Sequence, residues 1–100
     1  MNLLERHRDE IQTLCRTHHV KALYVFGSAL TEGFNADSDI DLVVEFDGVT
    51  LEEYADNYFD LQFALEDLLK RSVDLLEAQA LRNPFLRQSI EEQRELLYAA

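Results

Sequence analysis

Cysteine, basic residues and long apolar runs are all scarce in this chain, and each scarcity closes off a class of protein. The one cysteine, Cys15, has no partner for an internal disulfide, so a disulfide-stapled secreted scaffold is excluded and the cytoplasm is the expected compartment. No charged start followed by an apolar run reads as a signal peptide, and no apolar stretch approaches the roughly 20 residues of a membrane span, so no membrane association is expected. Nine Lys and Arg stand against 20 Asp and Glu, a net charge of −11. Such a molecule repels phosphate backbones, and direct nucleic-acid binding is disfavoured. The acidity reads either as a solvated surface or as a negative face for a basic partner protein. Repeats, low-complexity segments and linkers are also missing. What remains is 100 residues, 47% of them apolar, enough for one core and therefore one domain spanning residues 1–100.

The periodicity predicts helix, strand, strand, helix, strand, helix, an α+β fold with a small mixed sheet flanked by helices. From Leu3 to about Thr17, Leu3, Leu4, His7, Ile11, Leu14 and Cys15 recur every three or four positions and define an amphipathic helix. Lys21 to Phe26 is short, aromatic and β-branched and stops at Gly27, which reads as a strand. Residues 28–38 are a polar connection whose Ser28-Ala29-Leu30 could open a helical turn. Asp39 to Phe46 alternates, with Ile40, Leu42, Val44 and Phe46 on one side and Asp39, Asp41, Val43 and Glu45 on the other. Thr50 and Glu53 form a capping box for a helix reaching about Lys70. Its buried stripe is expected to hold Leu51, Tyr54, Tyr58, Leu61, Leu65, Leu68 and Leu69, with Glu52, Asp56, Asp60, Glu66 and Asp67 in water. Ser72 to Glu77 reads as the third strand, and Asn83-Pro84 opens a helix to about Gln93. Glu95 to Tyr98 is a candidate last short strand.

The chemistry concentrates at Asp39 and Asp41. Two carboxylates at i and i+2 of a strand share a face with Cα atoms about 6.7 Å apart. They repel each other unless a cation lies between them, and adjacent carboxylate oxygens suit Mg²⁺ with water and phosphate completing its shell. An exposed face of a half-solvated sheet is the alternative. Gly27-Ser28 precedes Asp39 by ten intervening residues. If the two strands pair antiparallel, all four residues meet at one sheet edge. Glycine permits close approach of an anion, and the serine hydroxyl with nearby backbone N–H groups can donate to phosphate.

The pattern Gly27-Ser28…Asp39-Ile40-Asp41-Leu42 resembles the signature of the polymerase β superfamily of nucleotidyltransferases. The small size, Ser38-Asp39-Ile40-Asp41-Leu42, Val73-Asp74-Leu75 and Leu81-Arg82-Asn83-Pro84 resemble the minimal nucleotidyltransferase (MNT) family over nearly the whole chain. The resemblance implies a polymerase β-type fold and a third catalytic carboxylate at Asp74. That residue is the only acid within the apolar core of its strand, where an unpaired charge would be expensive. It further implies two Mg²⁺ ions held by Asp39, Asp41 and Asp74, with Gly27 and Ser28 binding the nucleotide, and transfer of AMP from ATP to a hydroxyl with loss of pyrophosphate. Without metal, a chain of charge −11 should bind ATP poorly.

One segment departs from the family. Many relatives carry basic residues and an earlier glycine after the Gly-Ser, where this chain reads Ala29-Leu30-Thr31-Glu32-Gly33, which weakens the expected phosphate binding. His7, His18 and His19 lack convincing metal spacing and read as partly exposed helix-end residues; Cys15 reads as core. Tyr54, Tyr58 and Phe59 read as core or partner-facing packing, with nucleobase stacking as the alternative. Arg82 and Arg87 read as surface charge, with a nucleotide or partner contact as the alternative. So short a transferase has no second domain for an acceptor. The resemblance implies that a partner supplies it, namely a HEPN ribonuclease toxin that this chain would neutralise, as an antitoxin, by adenylylating a hydroxyl within a toxin–antitoxin oligomer. A noncatalytic antitoxin acting by binding alone, and a small-molecule nucleotidyltransferase, are the alternatives.

Overall fold

A computed structural model describes residues 3–26, 39–80 and 83–100. The first amphipathic segment is not one helix but two, α1 (Leu3–Arg6) and α2 (Arg8–Thr17). They break at His7, whose backbone leaves helical geometry at ψ +19°. Its N–H bonds the Leu4 carbonyl at 3.3 Å in a tight turn, while its carbonyl accepts from Ile11 N–H at 2.9 Å and restarts the ladder. The imidazole lies off the apolar stripe, 2.7 Å from Glu10 Oε2. Leu4, Ile11 and Cys15 stay buried on one side across the break, because the interruption does not change which face meets the sheet.

His19 at φ +60° turns the chain into β1 (Val20–Phe26). The remaining elements are β2 (Ile40–Phe46), α3 (Leu51–Leu69), β3 (Val73–Glu77), a 3-10 turn (Ala78–Ala80), α4 (Pro84–Gln93) and β4 (Glu95–Ala99). The sheet order is β3-β2-β1-β4. β1 runs antiparallel to both β2 and β4, and β2 pairs parallel with β3. A parallel pair needs a long crossover, which α3 supplies. Thr50 Oγ1 accepts from Glu53 N–H at 3.3 Å to start α3, and Lys70, at φ +56°, ends it in the left-handed region. The expected α4 is present, its cap Asn83 accepting from Phe85 N–H at 2.9 Å and Leu86 N–H at 3.3 Å. The candidate last strand is β4, completing the mixed four-stranded sheet.

One sheet face carries most of the core, with Val43 buried on the other. Leu23, Val25, Ile40, Leu42, Val44, Val73 and Leu75 pack against Leu4, Ile11 and Cys15 of the first helices and Leu61, Leu65 and Leu69 of α3. Two expectations for α3 fail. Leu51 is 92% exposed, because it sits in the first helical turn before the stripe reaches the sheet. Glu66 is half-buried instead of solvated, because its Oε2 accepts from Val73 N–H at 2.9 Å. Tyr54, Tyr58 and Leu68 are half-buried, with Phe46 and Tyr54 meeting edge-on at 5.6 Å. No helix among the described residues is long and apolar enough to cross a membrane.

Candidate active site

Strand alternation assigns the acids to the other face. Ile40, Leu42 and Val44 point into the helical layer, so Asp41 and Val43 project oppositely, and Asp39 two residues earlier follows the same alternation. Across β1 the register partners Phe26↔Asp41 and Tyr24↔Val43 belong to this face. The Arg94 guanidinium lies 4.0 Å over the Tyr24 ring, a cation–π contact that places a base on the acid-bearing side.

On β3, Val73 and Leu75 enter the core, which sends Asp74 to the acid face. The parallel register makes Asp41 and Asp74 direct partners on adjacent strands. Neighbouring strands lie about 4.8 Å apart, so two carboxylates in register are within strong electrostatic reach. Asp41 records it. Its carboxyl is held above the usual carboxylate range, first by partial burial, then by the charge of Asp74, then by that of Asp39. The three acids therefore form one electrostatic group drawn from β2, the residue just before it and β3.

Asp74 itself is exposed, which corrects one argument for it: no burial cost singles it out, and its position beside Asp41 is what distinguishes it. Gly27 and Ser28 lie outside the described residues, as do Arg82 and the segment 29–33. Among the described residues no three acids, histidines or cysteines converge tightly enough to form a ready-made metal cage. Magnesium demands an octahedral oxygen shell, dehydrates reluctantly and is usually held by one or two carboxylates together with water and substrate phosphates. Three hard carboxylates, two of them in register, have the right donor chemistry.

The other residues of interest are structural. Cys15 is fully buried and its thiol is pushed up to about 12 by burial, so it is protonated and inert at neutral pH. The His18 ring lies 2.7 Å from the Leu14 carbonyl, and its own carbonyl accepts from Asn57 Nδ2 at 2.8 Å. Arg87 pairs with Glu91 at 3.4 Å along α4. Sequence reasoning missed three residues on α3 that hold β3. Tyr58 donates to the Leu75 carbonyl, Gln62 donates to the Val73 carbonyl at 3.0 Å, and Glu66 accepts from Val73 N–H as described. The only sequence signal was their spacing of four on the helix that precedes the strand.

The profile of the family described as "Polymerase beta, Nucleotidyltransferase" matches residues 9–100. A protein of Methanocaldococcus jannaschii named "putative protein adenylyltransferase" is 35% identical, over 97% of this chain and 91% of its own length. A second from the same organism with that name is 34% identical, over 89% of this chain and 94% of its own length. A solved structure of a "putative minimal nucleotidyltransferase" superposes with a TM-score of 0.76 at 34% identity and 95% coverage of both chains. A toxin–antitoxin complex solved with AMP-PNP shares the fold, at a TM-score of 0.71 and 24% identity over 93% of this chain and 73% of that one. With its sheet order, its profile match and these relatives in agreement, the chain belongs to the polymerase β nucleotidyltransferase family, in its minimal nucleotidyltransferase branch.

Proposed function

We propose that this chain transfers AMP from ATP to a hydroxyl of a partner protein, and that the partner is a HEPN-type toxin which the modification silences. The observation that carries the reading is the register pairing of Asp41 with Asp74, with Asp39 adding its charge to the same group. Relatives at 35%, 34% and 31% identity bear the adenylyltransferase name. Among fold neighbours, one complex contains a tri-AMPylated Shewanella oneidensis HEPN toxin with its MNT antitoxin, at 22% identity to this chain.

Asp39, Asp41 and Asp74 are the residues to hold Mg²⁺, in line with their oxygen chemistry and mutual repulsion. Bound there, the ions supply charge neutralisation of the triphosphate and lower the pKa of the attacking hydroxyl. The acceptor oxygen forms a bond to the α-phosphorus, the bond from that phosphorus to the bridging oxygen breaks, and pyrophosphate leaves with the electron pair. In this reading Asp74, exposed on the edge strand β3, receives the hydroxyl proton or completes the metal shell. Gly27 and Ser28 follow Phe26 directly in the chain, and Phe26 is the register partner of Asp41. Their assigned role is to donate to the phosphates.

A second reading has its own support: residues 29–33 contain no Lys or Arg and include Glu32, which favours an antitoxin that acts by contact alone. One experiment separates them. Labelled ATP and Mg²⁺ are incubated with the chain, with and without the product of the neighbouring gene as the candidate HEPN protein, and compared with the Asp39→Ala, Asp41→Ala double variant. Label on the HEPN protein that vanishes in the double variant is the expected result. Label that survives it removes the enzymatic assignment, and neutralisation without any label selects the binding-only antitoxin.

A further inference from the structure

We propose that Tyr58, Gln62 and Glu66 are positioning residues that hold Asp74 level with Asp41 by gripping the β3 backbone on both sides of it. The inference rests on the assignment of Asp74 to the reaction and adds the device that fixes its place. β3 is an edge of the sheet. An edge strand presents unpaired N–H and C=O groups, and its height relative to its single neighbour is held only from one side. The inner side is occupied by β2, with Ile40 N–H bonding the Ser72 carbonyl at 3.0 Å. Alternation then turns the backbone groups of Val73 and Leu75 outward. Those are the groups that α3 takes, two from Val73 and one from Leu75.

The geometry matches because the two repeats match. Four residues of helix rise about 6 Å, and two residues of strand about 6.7 Å, so side chains at 58 and 62 can reach carbonyls at 75 and 73 in step. Spacing of four also puts all three side chains on one stripe. A helix that only covered an edge could do so with apolar side chains. Here a half-buried carboxylate is placed on a backbone N–H in a chain already at −11. The cost is offset by a charge-assisted hydrogen bond, and the result is that β3 cannot slide along β2 without breaking contacts on both flanks of Asp74.

The test compares Gln62→Leu, Glu66→Leu, Glu66→Gln and Asp74→Asn with Leu14→Ala, a change on α2 remote from the strand that serves as a stability control. Initial rates of AMP transfer, Mn²⁺ affinity by spin-resonance titration, amide exchange at Val73 and Tm are measured on each. Gln62→Leu and Glu66→Leu are expected to lower kcat about 10- to 100-fold, the scale of a small misplacement of a catalytic group. They should also weaken Mn²⁺ binding, and Glu66→Leu should speed exchange at Val73. Glu66→Gln, whose amide oxygen still accepts, should restore both rate and Mn²⁺ affinity, and Leu14→Ala should lower Tm without lowering kcat. If both leucine variants keep wild-type kcat and Mn²⁺ affinity while Asp74→Asn is inactive, the ladder only seals an edge, and the transfer reading stands without it. If Asp74→Asn is fully active, or the wild-type chain neither binds Mn²⁺ nor transfers AMP, the reading of the site falls and this proposal with it.

Discussion

At Asp41 the proposed role in transfer and the stability of the fold oppose each other. Its carboxyl binds a proton more tightly in the folded chain than an ordinary carboxylate does, so the protonated form favours folding. That contribution is lost as pH rises from the unfolded-state value through the raised folded one. Asp41→Asn is therefore expected to melt at a higher temperature than wild type at pH 7, while losing AMP transfer by 100-fold or more on the order of other transition-state electrostatic groups. The Tm gap should close as pH falls below the ordinary carboxylate range, and a melting series from pH 3 to 7 checks it. Cys15 gives a second residue-level expectation. With its thiol fully buried and pushed up to about 12, maleimide labelling at pH 7.5 should be negligible in the native chain and complete in denaturant.

Among the elements, the helix ends are where single changes should act most cleanly. Asn83 satisfies two N-terminal amides of α4, so Asn83→Ala should cost about 1 kcal/mol, a fall of roughly 4–8 °C in Tm for a domain of this size. Lys70 closes α3 in the left-handed region, where a Cβ costs about 1–2 kcal/mol. Lys70→Gly should stabilise the chain, because the 3.5 Å Lys70–Asp67 pair it forfeits is exposed on both sides and worth little. Thermal melts of the two variants should thus move in opposite directions.

These ends were legible in the sequence because capping chemistry is local: Thr50 and Asn83-Pro84 announce α3 and α4 within a few residues. The break at His7 was not, since the apolar spacing continues across it and only the backbone turn and the Glu10 contact reveal it. Leu51 misled because helical periodicity says which side a residue occupies but not whether the neighbouring layer extends that far. Of the candidate site, Asp39, Asp41 and Asp74 are named by their pattern and family likeness, and the structure adds only how close Asp41 and Asp74 lie. That Asp41 and Asp74 are register partners depends on strand pairing across the α3 crossover, and that Gln62 and Glu66 address Val73 depends on helix placement; neither is encoded in a local motif.

Across the whole molecule the excess of acids sets the response to ions. Added NaCl should raise Tm modestly by screening self-repulsion, and should slow association with a basic partner. Mg²⁺ with ATP should raise it beyond NaCl at equal ionic strength, EDTA should reverse that extra part, and Asp41→Asn or Asp74→Asn should abolish it. Calorimetric scans under matched ionic strength check the difference.

The parallel pairing of β2 and β3 has one more consequence. Asp41 and Asp74 are 33 positions apart, joined through α3 and the short bend after it. Adding or deleting a single residue in the bend at 70–72 would rotate β3 by half a turn, hiding Asp74 beneath α3 and turning Val73 or Leu75 out to water. A change of two would keep the outward face but displace the acid one step from its partner. The number of residues in that bend, not only their identity, is thus what keeps the two acids side by side.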